Sequence, residues 1–143
     1  MTVLARLLDL ALLPSELVPH SARAYARLSL FDWMVCGRAG RHEPLAGILR
    51  ALASEEGGTA QASIIGGGLV PARAAALVNG ATSHALDYDD THFGHIGHPS
   101  VAIYPAALAV GEAANAAAID VANAFLIGAE ASVRLGIDRK SVV

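Results

Sequence analysis

Apolar residues recur along the chain at three- and four-residue spacing in blocks separated by proline and glycine, and that rhythm predicts helices. The first block predicts a helix over about Val3 to Leu13, stopped by Pro14. Ser15 is placed to cap a second helix, with Glu16 in its favourable first turn. Leu17, Ala24, Leu28, Phe31 and Val35 set the apolar stripe of that helix, and Gly37 and Gly40 predict its end. A shorter helix is expected from about Glu43 to Ser54. The stretch "EEGGTAQASIIGGGLVPARA" breaks the rhythm and predicts a short extended segment near residues 59–66 followed by a turn at Gly66 to Gly68. Pro71 suits the first position of the next helix, which the pattern carries to about Tyr88, with Gly80 marking a close helix contact. "SVAIYPAALAVGEAANAA" predicts a buried helix containing Pro105, and a last helix is expected from about Ile119 to Leu135, ending near Gly136.

The class is therefore all-α, a helical bundle-like domain spanning residues 1–143. A chain of 143 residues can hide roughly 68–70% of its unfolded surface and so needs no staple. Cys36 is its one cysteine, which excludes an intrachain disulfide and suggests a reducing, cytoplasmic setting. Embedded in "LSLFDWMVCG", that residue reads as a small buried hydrophobe, not a nucleophile. A net charge of −3 with 16% charged residues argues against nucleic acid, which demands a basic stripe. Mean hydropathy is +0.46, yet Arg6, Asp9, Glu112, Asp120 and Glu130 interrupt the apolar runs before they reach spanning length, so no membrane partner is expected. The N-terminal block reads as an amphipathic helix, not an export signal. With no Gly-x-Gly-x-x-Gly and no Gly-Lys-Ser/Thr ending, nucleotide binding is set aside.

Candidate chemistry gathers in "HALDYDDTHFGHIGHPS", His84 to Ser100, which holds four of the six histidines and three aspartates. Metal binding, acid–base chemistry and a polar loop are all open for it. If the helix persists to Tyr88, His84 and Asp87 share a face, and one more turn brings Thr91 beside Asp87. Aspartates at a helix C-terminus meet the wrong end of the dipole, so something else must hold them there. His84, Asp87, Asp90, His92, His95 and His98 are sound metal-ligand types, but the His-Glu-x-x-His spacing is missing. Asp87 and His98 can give and take protons, and Thr91 can hold a substrate oxygen. Each also has a mundane reading, as helix cap, loop histidine or turn residue.

"NGATSHALDYDDTH" followed by "GHPSVAIYPAALAVGE" closely resembles the signature region of the MmgE/PrpD family, which includes 2-methylcitrate dehydratases, cis-aconitate decarboxylases and iminodisuccinate epimerases. "LPSELVPHSARAYARLSLFDWMVCGRAG", "TAQASIIGGG" and "PARAAALVNGA" extend the resemblance in order across about Leu13 to Gly136. It implies a helical domain whose pocket takes small polycarboxylates without a metal, iron–sulfur cluster or other cofactor. Carried over residue by residue, it implies catalytic roles for Asp87 and His98 and substrate contact for Thr91, with His84, His92 and His95 as pocket neighbours and Asp89 and Asp90 shaping the turn. 2-Methylcitrate dehydration is the default activity, with decarboxylation or epimerisation of a related acid, or a non-catalytic helical interaction module, as alternatives. Family members are longer, and a second, smaller α+β domain adds a histidine and lysines to the pocket. The chain stops at "RLGIDRKSVV" before those groups, so an incomplete site is expected, partnered by a C-terminal domain or a second copy in a dimer. Arg134, Arg139 and Lys140 read as a solvated helix end.

Overall fold

The computed structural model describes residues 2–140, with side chains through Ile137. Six helices are described: α1 (Val3–Ala11), α2 (His20–Gly40), α3 (Pro44–Glu56), α4 (Ala72–His84), α5 (Pro99–Ala114) and α6 (Ala118–Lys140). The all-α expectation holds, since the only described sheet pairs β1 (Ala62–Ser63) with β2 (Leu69–Val70), antiparallel, Ala62 opposite Val70. β1 falls in the segment predicted to be extended; its return strand β2 was not predicted. Gly66, Gly67 and Gly68 join the two strands at φ of 107°, 104° and 102°, a region open to glycine and closed to most side chains.

Several boundaries move. α1 stops at Ala11, before Pro14, and buries no residue. Ser15 does not cap α2; it opens a single 3-10 turn, Ser15–Leu17, and α2 begins after Pro19. The Ser15 hydroxyl instead accepts a 2.6 Å hydrogen bond from Asn123 Nδ2 on α6. α4 ends at His84, short of Tyr88, and α6 runs past Gly136.

The predicted stripe of α2 faces outward. Leu17, Leu28, Phe31 and Val35 are exposed, whereas Ala26, Trp33, Cys36, Gly37 and Gly40 are buried. The helix is apolar on two faces, and it docks through the one whose small residues let backbones approach. A Cβ on Gly40 would overlap the carbonyl oxygen of Thr82 on α4, and one on Gly37 would strike Ile65.

α4 and α5 make the most extensive interhelical contact. At their crossing a Cβ on Gly80 would stand 3.0 Å from the Val101 carbonyl oxygen, the close approach that the sequence suggested. One core group joins Ala53, Ala62, Ile64, Ala75, Val78 and Ala109; another joins Ala26, Trp33, Tyr104 and Phe125. In the second, Tyr104 stacks on Phe125 with ring centres 3.8 Å apart, and its hydroxyl donates to the Ala26 carbonyl. Trp33 Nε1 donates to Ser83 Oγ at 2.9 Å, fixing the last turn of α4 against α2. Asn79 pins the hairpin by donating to the Ser63 carbonyl and accepting from the Ile65 amide, at 2.8 and 2.7 Å. No helix among the described residues is long and apolar enough to cross a membrane.

Candidate active site

The segment joining α4 to α5 carries the titratable cluster. After His84 the chain leaves the helix, and Asp87 takes a left-handed conformation at φ 55°, which aspartate tolerates better than most residues. Its amide donates to the His84 carbonyl at 3.0 Å, closing the turn. The helix-face pairing of His84 with Asp87 is thus replaced by a looser turn contact, Nδ1 to Oδ1 at 4.0 Å. Thr91 is not carried onto a further helical turn beside Asp87; it is exposed on the loop.

The inward-turning aspartate is Asp89, whose side chain is 0% exposed. Its Oδ1 lies 2.9 Å from His84 Nδ1 and its Oδ2 lies 3.0 Å from His98 Nδ1. The two imidazoles meet edge to face, centres 5.0 Å apart at 63°. His98 turns Nε2 toward Asp87 Oδ1, 3.7 Å away, and Asp87 itself is 77% exposed. The cluster therefore has a buried carboxylate at its base and an open rim formed by Asp87 and His98 Nε2.

Asp90 serves the following helix. Its carboxylate accepts from the Ser100 amide at 3.0 Å and from Ser100 Oγ at 2.5 Å, at the start of α5, where free N–H groups and the helix dipole favour an anion. Pro99 occupies the first turn of α5, where a missing N–H costs nothing. The expectation that Asp89 and Asp90 both shape the turn thus fits Asp90 and understates Asp89. Nothing in their spacing separates the two; which one turns inward depends on how the loop closes.

Residues 92–97 close on themselves. His92 donates to the Gly97 carbonyl at 2.9 Å, Ile96 donates back to the His92 carbonyl at 2.8 Å, and His92 Nδ1 accepts from the His95 amide at 3.0 Å. The His95 ring packs against Gly97 and against Gly136 of α6, where a Cβ would overlap it. His95 is accordingly not part of the four-residue cluster. His84, Asp87, Asp89 and His98 bring ligand-capable atoms within 4.8 Å of one another, a donor set that a divalent ion accepts; Asp90, His92 and His95 stand outside that group.

The charges around the cluster are acidic. The ion pairs found for Asp87 and Asp89 among the described residues are to histidines. Arg134 pairs with Glu130 on its own helix at 2.6 Å, in keeping with a solvated helix end, and the side chains of Arg139 and Lys140 lie outside the described residues. The acidic field reaches the neighbouring core: burial, then Asp32, Asp89 and Asp90, push the Cys36 thiol above its ordinary range.

The family model described as the MmgE/PrpD N-terminal domain matches residues 10–141. Among curated proteins, none matches the chain.

Proposed function

Since the chain belongs to the MmgE/PrpD family, we propose that it supplies the proton-handling side of an active site for small polycarboxylates, with hydro-lyase chemistry of the 2-methylcitrate dehydratase type. The observation that carries this reading is the facing of His98 Nε2 and Asp87 Oδ1 at 3.7 Å on the open side of the cluster. A citrate-like acid holds its abstractable proton and its departing hydroxyl on adjacent carbons. Two groups a few ångströms apart can therefore serve both, one taking the proton from carbon and the other protonating the hydroxyl as it leaves. Thr91 and His84 are the proposed substrate contacts beside that pair, and His95 bears on it through the 92–97 turn.

A substrate with several carboxylates needs cations, because Asp87 and Asp89 would otherwise repel it. Residues beyond this helical part, or from a second copy, are the proposed source. In the complete enzyme, Asp87→Asn or His98→Ala abolishes turnover of 2-methylcitrate while circular dichroism and the melting curve stay native; turnover retained in either variant counts against the assignment. Product analysis by NMR separates the chemistries. An alkene with every carboxylate retained means dehydration, released carbon dioxide means decarboxylation, and deuterium uptake without an alkene means epimerisation.

One observation favours a second reading, a helical interaction module. Tyr25, Leu28, Phe31, Met34 and Val35 line the outer face of α2 and are half or more exposed. Contiguous apolar surface of that kind favours a partner. A monomeric, fully soluble chain at high concentration in sedimentation would remove that alternative.

A further inference from the structure

We propose that Asp89 is a positioning residue that locks His84 and His98 in one tautomer, each carrying its proton on Nδ1, so that Nε2 is the nitrogen that exchanges protons with substrate. The chemical consequence rests on the acid–base reading above, whereas the tautomer is a property of this chain that can be measured without substrate.

The argument starts from burial. The Asp89 side chain has no exposed surface, and an imidazole Nδ1 stands at each of its oxygens, at 2.9 and 3.0 Å. The His84 contact has hydrogen-bond geometry, whereas the His98 contact is a close approach at 3.0 Å without it, and Asp89 Oδ2 and His98 Nδ1 are both buried with no other polar partner among the described residues. A carboxylate only accepts, and a buried acceptor left without a donor is strongly disfavoured. Were the ring protons on Nε2, a nitrogen lone pair would face an oxygen lone pair on both sides of Asp89. With the protons on Nδ1, Oδ1 accepts from His84 and the His98 N–H lies 3.0 Å from Oδ2 as an attraction and not a repulsion, with the two rings fanned at 63° about one carboxylate. The hydrogen bond made by one ring nitrogen sets what the other can do.

The free nitrogen of His98 is then the one turned toward Asp87, at 3.7 Å. When Nε2 takes up a proton, the Nδ1–H still faces Asp89 Oδ2 at 3.0 Å, so the contact persists through a cycle of proton gain and loss. Asp89 touches no part of the open rim and acts through the imidazoles. Asp87, at 3.7 and 4.0 Å from the two rings and largely exposed, has no such hold on them.

The test is a long-range proton–nitrogen correlation spectrum of the nitrogen-labelled chain, with chelator present, at a pH where the imidazoles are neutral. His84 and His98 are expected to show pyrrole-type Nδ1 and pyridine-type Nε2, the reverse of the preference of a free histidine side chain in water. Asp87→Asn should leave both patterns unchanged. Asp89→Asn, whose amide can donate, should release at least one ring to the Nε2–H form. A proton on Nε2 of either ring in the unaltered chain overturns the proposal, and so does a folded Asp89→Asn that keeps both rings on Nδ1. If Asp89→Asn does not fold, the unaltered spectrum decides alone. In the complete enzyme, Asp89→Asn should lower kcat by roughly 10²–10⁴-fold with KM within a few-fold; an unchanged kcat overturns the positioning role. Inactivity toward every polycarboxylate tried, with the spectrum as expected, would instead remove the proposed function and leave the tautomer assignment standing.

Discussion

Replacing Gly40 by alanine tests how the site is supported from behind. Gly40 is the last residue of α2, and a Cβ there would overlap the Thr82 carbonyl oxygen while standing 3.3 Å from its carbon and 3.4 Å from Ala85 Cβ. The obstacle is backbone, which cannot rotate away, so α2 and α4 must part. Overpacking of this kind costs about 1–3 kcal/mol, and the helix propensity regained over glycine returns only about 0.5–1 kcal/mol. A net loss of up to about 2.5 kcal/mol follows, with a fall in melting temperature of about 2–4 °C per kcal/mol for a chain near this size. Gly47 in α3 is an internal control, because a Cβ there meets nothing within 4 Å. The same substitution at Gly47 should raise stability by about 0.5–1 kcal/mol. Urea titration of both variants reads the difference. Equal shifts of one sign would refute the claim that contact with Thr82 decides the outcome at Gly40.

Two further outcomes follow from buried groups. The Cys36 thiol, raised by burial and then by Asp32, Asp89 and Asp90, should be alkylated slowly at neutral pH, with a rate profile whose midpoint lies above the ordinary thiol value of about 8.5; a midpoint at or below that value would remove the claim. Tyr104 is also raised, by burial and then Asp90, so its neutral hydroxyl contributes stability below the unfolded value of about 10, and that contribution is lost as pH climbs through the folded value. Tyr104→Phe should therefore cost about 1 kcal/mol at neutral pH yet flatten the alkaline fall in stability, which urea titrations at neutral and alkaline pH would measure.

The helices were legible because their apolar rhythm is long and their prolines and glycines punctuate it. The docking face of α2 was not. Its large residues, Leu28, Phe31 and Val35, form the more hydrophobic stripe, but the close approach to α4 selects the face with Ala26, Gly37 and Gly40, and summed hydrophobicity carries no information about backbone distance. The place of the titratable cluster was also legible, since His84, Asp87 and His98 do meet. Which aspartate is buried was not, because beyond His84 no period remains to say which of Asp87, Asp89 and Asp90 turns inward. Asp89 is buried by the closure of a loop, and a loop's closure depends on both flanking helices. Strand β2 escaped for a similar reason: two residues paired across a glycine turn leave almost no pattern.

The 92–97 turn, tied across its neck by the His92–Gly97 bridge, has a consequence for how such a protein can diversify. It lies between Asp89 and His98 in the chain but closes its own hydrogen bonds, so its length can change while the carboxylate continues to hold the imidazoles. Doubling a flexible loop costs only about 0.6 kcal/mol of closure entropy. The hold of Asp89 on the imidazoles and the make-up of the turn are thereby separable in heredity: insertions and exchanges in Phe93 to Ile96 can accumulate while the Asp89–His84–His98 grouping is inherited intact.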